Sequence, residues 1–244
     1  MKEMKRKAQE PASSSKMAAQ PDKTKTSFLN VPAELRNEIY RICLLAPEVM
    51  AVTRQPRQWK LRICQISTFP RHRQDKLYAP GLLRSCKQIS HEAISILYGE
   101  NVLDFEGTRV AHAFLLQVAH AVKHIRYMII GSVNSSKTSF ARFFVALKGA
   151  VRLRKLTLDF DVDYLHGGSG LGMGLCTVVE AAKVLGPLMR LLSKQRKPTK
   201  KKEVLDIVHW VADQWYFEPE QQQYNEEAAD YEARVKALLE KTLK

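Results

Sequence analysis

The feature of this sequence that most constrains its fold is an apolar spacing that recurs after 28 residues. Each copy has three large apolar residues, with the second three positions and the third five positions after the first. The copies are Ile125, Met128 and Ile130, and Leu153, Leu156 and Leu158. Each copy lies in a strand-like segment, and the helix-like stretch FARFFVAL lies between them. The repeat therefore predicts successive strand–helix units.

Two architectures are compatible with this repeat. The L-x-x-L-x-L spacing and the period match those of leucine-rich repeats, in which each repeat adds one strand and one helix. Stability in that architecture needs about three repeats, and a third copy at Leu205, Val208 and Trp210 follows only after a gap of 52 residues. A small α/β layer gives the same spacing. We expect residues 107–218 to form a small α/β part of such strand–helix units.

The segment before the repeat begins with a helix signal. Pro32 fits a first helical turn, and Pro47 cannot continue a helix. Between them, apolar residues recur at helical spacing and form one stripe: Leu35, Ile39, Ile42, Cys43 and Ala46. Such a stripe is either part of the core or an interface that lies in a partner's groove, and core is the expectation for any single residue of it.

A hairpin signal and a second helix signal follow. VMAVT and QWKLRICQIS look like strands separated by Pro56, which predicts a β-hairpin insertion. One long helix is then predicted from Pro80 to Gly99, with Gly99 as its terminator, before a short strand, NVLDF. We therefore treat residues 27–106 as one helical domain with a hairpin insertion.

The two ends of the chain differ in character. Residues 1–26 are rich in Lys, Ser, Pro and Gln and predict a disordered basic tail, in which Lys5-Arg6-Lys7 is either a nuclear address or a solvated run. Residues 219–244 predict a C-terminal amphipathic helix. Its apolar side consists of Tyr224, Ala228, Tyr231, Val235 and Leu238. The whole chain is thus expected to be of the α+β class.

Composition limits the cellular setting. Four cysteines occur without a C-x-x-C pair, which indicates reduced thiols, and no stretch of about 18 apolar residues predicts a transmembrane helix. We therefore expect a nuclear or cytoplasmic protein without a membrane partner.

Two of these segments together resemble a large fungal group of uncharacterised F-box-like proteins. That group pairs an LPxELRxxIY-type start with an LLxxCxQIxxEAxxxxYxxNxFxF-type second block. The corresponding segments here are FLNVPAELRNEIYRICLL and LLRSCKQISHEAISILYGENVLDF. The likeness covers about residues 28–105. Val31 replaces the usual Leu before Pro, and a basic insertion of some 30 residues separates the two blocks.

The resemblance implies a substrate adaptor of a cullin–RING ubiquitin ligase. The F-box-like helices would dock on a Skp-type linker subunit, and the C-terminal α/β part would hold an unknown target. By carry-over, five residues match the apolar positions of the first F-box helix that face the linker or the domain's own core. They are Val31, Pro32, Leu35, Ile39 and Ile42.

One alternative is a nucleotide-binding site at residues 131–138. Gly131, Lys137 and Thr138 match the phosphate-loop pattern G-x-x-x-x-G-K-[ST], and Asp159 could supply a carboxylate near Mg²⁺. Ser136 replaces the glycine that lets the backbone approach a phosphate closely. Ser, Asn and Thr are also ordinary residues of a strand-to-helix connection, and we favour that interpretation.

A second alternative is nucleic-acid binding. The net charge of +14 favours polyanions, and the zone from Arg54 to Lys76 interleaves basic residues with aromatic ones. The residues concerned are Arg57, Trp59, Lys60, Arg62, Phe69, Arg71, Arg73 and Tyr78. Alternation along a half-exposed hairpin produces the same composition, and no recognised nucleic-acid module accompanies it.

Patterns that would indicate catalysis or metal binding are incomplete. His91-Glu92 begins the zinc-protease motif H-E-x-x-H, but Ser95 replaces the second histidine. His120 and His124 are interpreted as polar residues at a helix edge, and GGSGLGMG (167–174) as a loop. We predict neither a catalytic residue nor a metal or cofactor site, and we expect a non-enzymatic protein–protein interaction module.

Overall fold

The computed structural model describes residues 27–47, 49–54, 61–66, 73–74, 80–131, 137–160, 177–195, 201–212 and 218–243 of the chain. The strands are β1 (Val49–Arg54), β2 (Leu61–Ile66), β3 (Arg73–Gln74), β4 (Val102–Phe105), β5 (Tyr127–Ile130), β6 (Lys155–Phe160) and β7 (Val208–Ala212). The α-helices are α1 (Ala33–Leu44), α2 (Pro80–Leu83), α3 (Lys87–Glu100), α4 (Thr108–Gln117), α5 (Lys137–Leu147), α6 (Val178–Gln195), α7 (Lys201–Leu205) and α8 (Glu218–Leu243).

The described strands form a single seven-stranded sheet in the order β3-β2-β1-β4-β5-β6-β7. β1 pairs in parallel with β4, and β4, β5, β6 and β7 continue in parallel, each joined to the next through helix. The predicted hairpin is present as β1 and β2, which are antiparallel. The predicted mixture of helix and strand is therefore confirmed, and the main part of the sheet is parallel. The sheet continues across residue 106, between β4 and β5.

Two rows of buried side chains run across the parallel strands. The first row is Met50, Leu103, Met128, Leu156 and Val208, and the second is Val52, Phe105, Ile130, Leu158 and Trp210. Both copies of the 28-residue repeat supply adjacent positions in these rows. The third copy is present as well, because Val208 and Trp210 lie beside Leu156 and Leu158 in β7. The spacing thus identifies three neighbouring parallel strands.

The helices cover the buried face of the sheet. Phe105 contacts Phe114 of α4 with ring centroids 5.2 Å apart, and Trp210 stacks on Phe140 of α5 at 6.4 Å. Residues of the opposite face, such as Tyr127 and Thr157, are half-buried. This alternation is typical of a sheet with one face against the core.

The long helix predicted for residues 80–99 is in fact two helices, which corrects the sequence-based prediction. Ser85 donates to the carbonyl of Leu82, and Cys86 is extended, with φ −154°. α3 then continues through Gly99 to Glu100. A Cβ on Gly99 would lie 3.1 Å from the carbonyl oxygen of His124, so this glycine permits close packing and does not terminate the helix.

The C-terminal helix α8 lies against the edge strand β7. The backbone N–H of Trp210 donates to the carboxylate of Glu232 at 2.7 Å, and the Trp210 and Tyr231 rings are 5.0 Å apart. Ala228, Tyr231 and Val235 are buried, as predicted, and Leu239 is buried with them. Because an open edge strand is a site for pairing with other chains, α8 protects the sheet. Among the described helices, none is long and apolar enough to cross a membrane.

Candidate functional site

The first helix, α1, has two faces of opposite character. Arg36, Tyr40 and Leu44 are buried, whereas Leu35, Ile39 and Ile42 are 56%, 39% and 83% exposed. The expectation that single residues of the apolar stripe belong to the core is therefore wrong for these three. The core face is instead formed by residues at i, i+4 and i+8 that begin with an arginine, and periodicity of apolar residues could not identify it.

The buried face is held by one carboxylate on α3. Glu92 accepts hydrogen bonds from Arg36 through Nε at 2.9 Å and Nη2 at 2.7 Å, and from the Tyr40 hydroxyl at 2.9 Å. Gln88 donates to the same carboxylate at 3.1 Å. These donors, Arg36 first, lower the pKa of Glu92 to about 2. Burial and the contact with Glu92 raise the pKa of Tyr40, so its hydroxyl remains a donor at neutral pH.

Arg36 also organises the chain that enters the helix. Its Nη1 donates to the carbonyl oxygens of Leu29 and Val31. The guanidinium thereby connects the entering chain, α1 and α3 through a forked set of donors, a geometry that lysine cannot reproduce. Val31 is half-buried and Pro32 is exposed.

At the other end of the two helices, the buried side chain of Asn101 joins α1 to α3. Its Nδ2 donates to the carbonyls of Leu97 at 2.8 Å and Leu44 at 3.0 Å, and its Oδ1 accepts from the N–H of Ala46 at 2.7 Å. A second ion pair, Arg41 with Glu100 at 2.9 Å, lies nearby at the surface. A single amide thus provides hydrogen bonds to a carbonyl group in the last turn of each helix.

These contacts join the two sequence blocks. Arg36 and Tyr40 occupy fixed positions of the first block, and Gln88, Glu92 and Asn101 occupy fixed positions of the second. None of these five is among the candidate residues predicted from the sequence. The available signal was an arginine on an otherwise apolar face of α1 and a glutamate on the polar side of α3, and it becomes informative only when the two are known to meet.

Part of the apolar stripe on α1 faces away from the core. Because Arg36, Tyr40 and Leu44 face α3, the neighbouring side of α1 carries Leu35, Ile39 and Ile42 at i, i+4 and i+7. Of the five predicted partner-binding residues, Pro32 and these three are exposed and Val31 is half-buried. We call Leu35, Ile39 and Ile42 the outer stripe. It has the spacing with which an amphipathic helix contacts an apolar groove.

The residues of the possible nucleotide site are only partly described. Residues 132–136 and the side chain of Lys137 lie outside the described residues, and Thr138 is exposed. Gly131 continues the β4–β5 ladder, since its N–H donates to the carbonyl of Phe105 at 2.7 Å and a Cβ would lie 3.3 Å from that oxygen. Close backbone packing therefore accounts for this glycine. Asp159 lies on β6, one residue beyond the Ile130–Leu158 pair.

The aromatic and basic zone considered for nucleic acid is also only partly described. Trp59, Phe69 and Tyr78 lie outside the described residues, and so do Arg57, Lys60 and Arg71. The basic tail over residues 1–26 and the glycine-rich segment over 167–174 lie outside them too.

His91 and the pair His120 and His124, which are far apart in the sequence, come together in space. His91, His120 and His124 line one cleft between the beginning of α3 and the connection from α4 to β5. Within the described part of the chain, no group of three or more His, Cys, Asp or Glu side chains could hold a metal ion.

Comparisons with protein-family models, with curated proteins and with solved structures found no match to this chain. The likeness to F-box-like proteins therefore rests on the two sequence blocks, and the structure adds the observation that these blocks pack against each other through α1 and α3.

Proposed function

We propose that this protein is a non-enzymatic interaction module whose outer stripe on α1 binds a protein partner, as an F-box-like substrate adaptor binds the Skp-type linker of a cullin–RING ubiquitin ligase. The observation that carries the proposal is the exposure of Leu35, Ile39 and Ile42 on a helix whose other face is fixed. Full burial of an exposed Leu or Ile side chain is worth about 1.5–3 kcal/mol, and covering these three would gain the share of it that corresponds to their exposed fractions.

The fixed inner face matters for binding. The contacts of Arg36 and Tyr40 with Glu92 hold α1 in one orientation, so little conformational entropy is lost when the outer stripe meets a groove. The family likeness supports the identity of the partner, because the F-box-like positions include Pro32, Leu35, Ile39 and Ile42. An adaptor of this kind would act in the nucleus or cytoplasm, with the α/β part available for a target.

Binding to a purified Skp-type linker subunit tests the proposal. We expect Leu35→Asp and Ile39→Asp each to weaken binding by roughly 10-fold or more, since a carboxylate in an apolar interface is unpaired. Leu116→Asp is the matched control, because Leu116 is an equally exposed leucine, at 61%, on α4. Circular dichroism and thermal unfolding establish that each variant folds. Linker binding that is unchanged in both α1 variants would refute this use of the helix.

One observation favours a second function, nucleotide binding at residues 131–138. The register of β5 and β6 places Asp159 near the carboxyl end of β5, from which residues 131–138 continue. A nucleotide site predicts that ATP or GTP with Mg²⁺ raises the melting temperature and that Lys137→Ala abolishes the increase. No increase at millimolar nucleotide would exclude it.

A further inference from the structure

A cleft of about 580 Å³ near the beginning of α3 carries an unbalanced positive charge. Arg84, Lys87 and Lys123 line it together with the three histidines. Among the described residues that line it, none carries a carboxylate. Glu92, the acidic neighbour of His91, instead accepts hydrogen bonds from Arg36 and Tyr40 on α1. Like charges gathered without a counter-charge repel one another, and an anion in the cleft would relieve that repulsion.

His124 shows the same imbalance at one atom. Its Nδ1 is buried and, within the described part of the chain, has no hydrogen-bond partner. Burial lowers the pKa of His124, and the charges of Lys123, Arg152, His91 and Arg126 lower it further. A buried polar atom without a partner is unfavourable. A phosphate in the cleft would offset these neighbouring positive charges and favour protonation of the imidazole.

The beginning of α3 lacks the usual compensation for its dipole. The cap is the thiol of Cys86, which accepts from the N–H of Ile89 at 3.5 Å, and the first turn opens with Lys87 and contains no acidic residue. A positively charged lysine at this position is repelled by the partial positive charge of the helix N-terminus, where a carboxylate is favoured. An anion held by the first-turn N–H groups would reverse that disadvantage.

The rest of the cleft is suited to more than an inorganic ion. Leu83 and Ile94 provide apolar surface beside the basic side chains, and Ser90 provides a hydroxyl. The volume lies within the range of sites for small organic ligands, which combine apolar walls with a few polar anchors.

We propose that this cleft binds a small organic phosphomonoester. Its phosphate contacts Arg84, Lys87 and Lys123 at the beginning of α3, and its organic part lies against Leu83 and Ile94. The cleft contains no described residue of the outer stripe, so the two proposed sites use different residues.

Calorimetric titration of the full chain with phenyl phosphate, inorganic phosphate and phenol tests the site. Phenyl phosphate should bind most tightly, inorganic phosphate more weakly, and phenol should not bind, because both the charge and the apolar part contribute. Equal affinity for the two phosphates would overturn the role of Leu83 and Ile94. Binding of phenol as strong as that of phenyl phosphate would overturn the role of the charge.

A double variant locates the site. Arg84→Gln with Lys123→Gln should weaken phenyl phosphate binding by roughly 10-fold or more, since two charge-assisted contacts are lost. The control, Arg142→Gln with Lys194→Gln, removes the same charge from exposed positions elsewhere and should leave affinity almost unchanged. Equal losses in both pairs, or no loss in the first, would show that binding is not at this cleft.

As a second readout, the pKa of His124 measured by NMR should rise when phenyl phosphate binds, and no change would contradict the proposal.

Discussion

At the scale of single residues, Glu92 carries the packing of α1 on α3. One carboxylate accepts from Arg36, Tyr40 and Gln88, and its pKa is lowered to about 2. A group whose folded pKa lies below its unfolded value stabilises the fold above the unfolded pKa, and that stabilisation is lost as the pH falls through the folded pKa. Glu92 therefore contributes fully at neutral pH and progressively less between about pH 4.5 and 2.

This direction of the pH dependence leads to a prediction for Glu92→Gln. The variant should be less stable than wild type at pH 7, because an amide replaces the carboxylate in the contact with Arg36. The difference should shrink as the pH falls from about 4.5 towards 3, since Glu92 becomes protonated in the unfolded chain while it stays ionised in the fold, and the variant has no such group. Urea unfolding at pH 7, 5 and 3 measures both effects. Glu38→Gln, whose carboxylate is exposed and pairs with Arg41, is the control. A difference from wild type that is constant with pH would contradict the assignment.

At the scale of elements, the sequence was informative about periodicity and uninformative about partners. Apolar spacing predicted α1, the hairpin and the strands β5 and β6, because each of these signals is local. It did not identify the buried face of α1, since Arg36 becomes a core residue only through Glu92, 56 positions later. The break between α2 and α3 was missed for a similar reason. Good helix formers surround Cys86, so the local sequence favours a continuous helix. The extended backbone of Cys86 depends on the rest of the fold.

The edge of the sheet gives a prediction at this scale. Glu232 of α8 accepts the N–H of Trp210 at 2.7 Å and pairs with Lys236 at 2.6 Å. Glu232→Ala leaves an edge N–H without its protein acceptor, and we expect a loss of about 1–3 kcal/mol in the free energy of unfolding. Asp230→Ala, on an exposed turn of the same helix, should change it by no more than about 0.5 kcal/mol. Chemical denaturation measures both, and equal effects would show that α8 does not hold the edge through Glu232.

At the scale of the whole molecule, the described parts of residues 27–106 and of the α/β part contribute strands to one sheet and side chains to one hydrophobic cluster. The sequence analysis placed a boundary at residue 106 because motif content changes there. It could not foresee that β1 pairs with β4, since a contact between segments some 50 residues apart leaves no spacing signature. The cleft near α3 was missed for the same reason, because its basic residues come from two segments that only the fold brings together.

The shared sheet predicts that the described fold unfolds as one cooperative unit. Asn101→Ala removes two hydrogen bonds to the end of α1 and one to the last turn of α3 and leaves buried groups unpaired, which should lower the free energy of unfolding by about 2–4 kcal/mol. In a background of Trp59→Phe and Trp215→Phe, the fluorescence of Trp210 reports on β7 at the far edge of the sheet. We expect Asn101→Ala to shift the urea midpoint of that fluorescence by the same amount as the midpoint from circular dichroism, because strands β1 and β4 to β7 form one hydrogen-bonded sheet.

The control variant Asn30→Ala, at an exposed position, should shift neither midpoint. A Trp210 midpoint that stays at the wild-type value while the circular dichroism transition splits would show that residues 27–106 unfold as a separate domain.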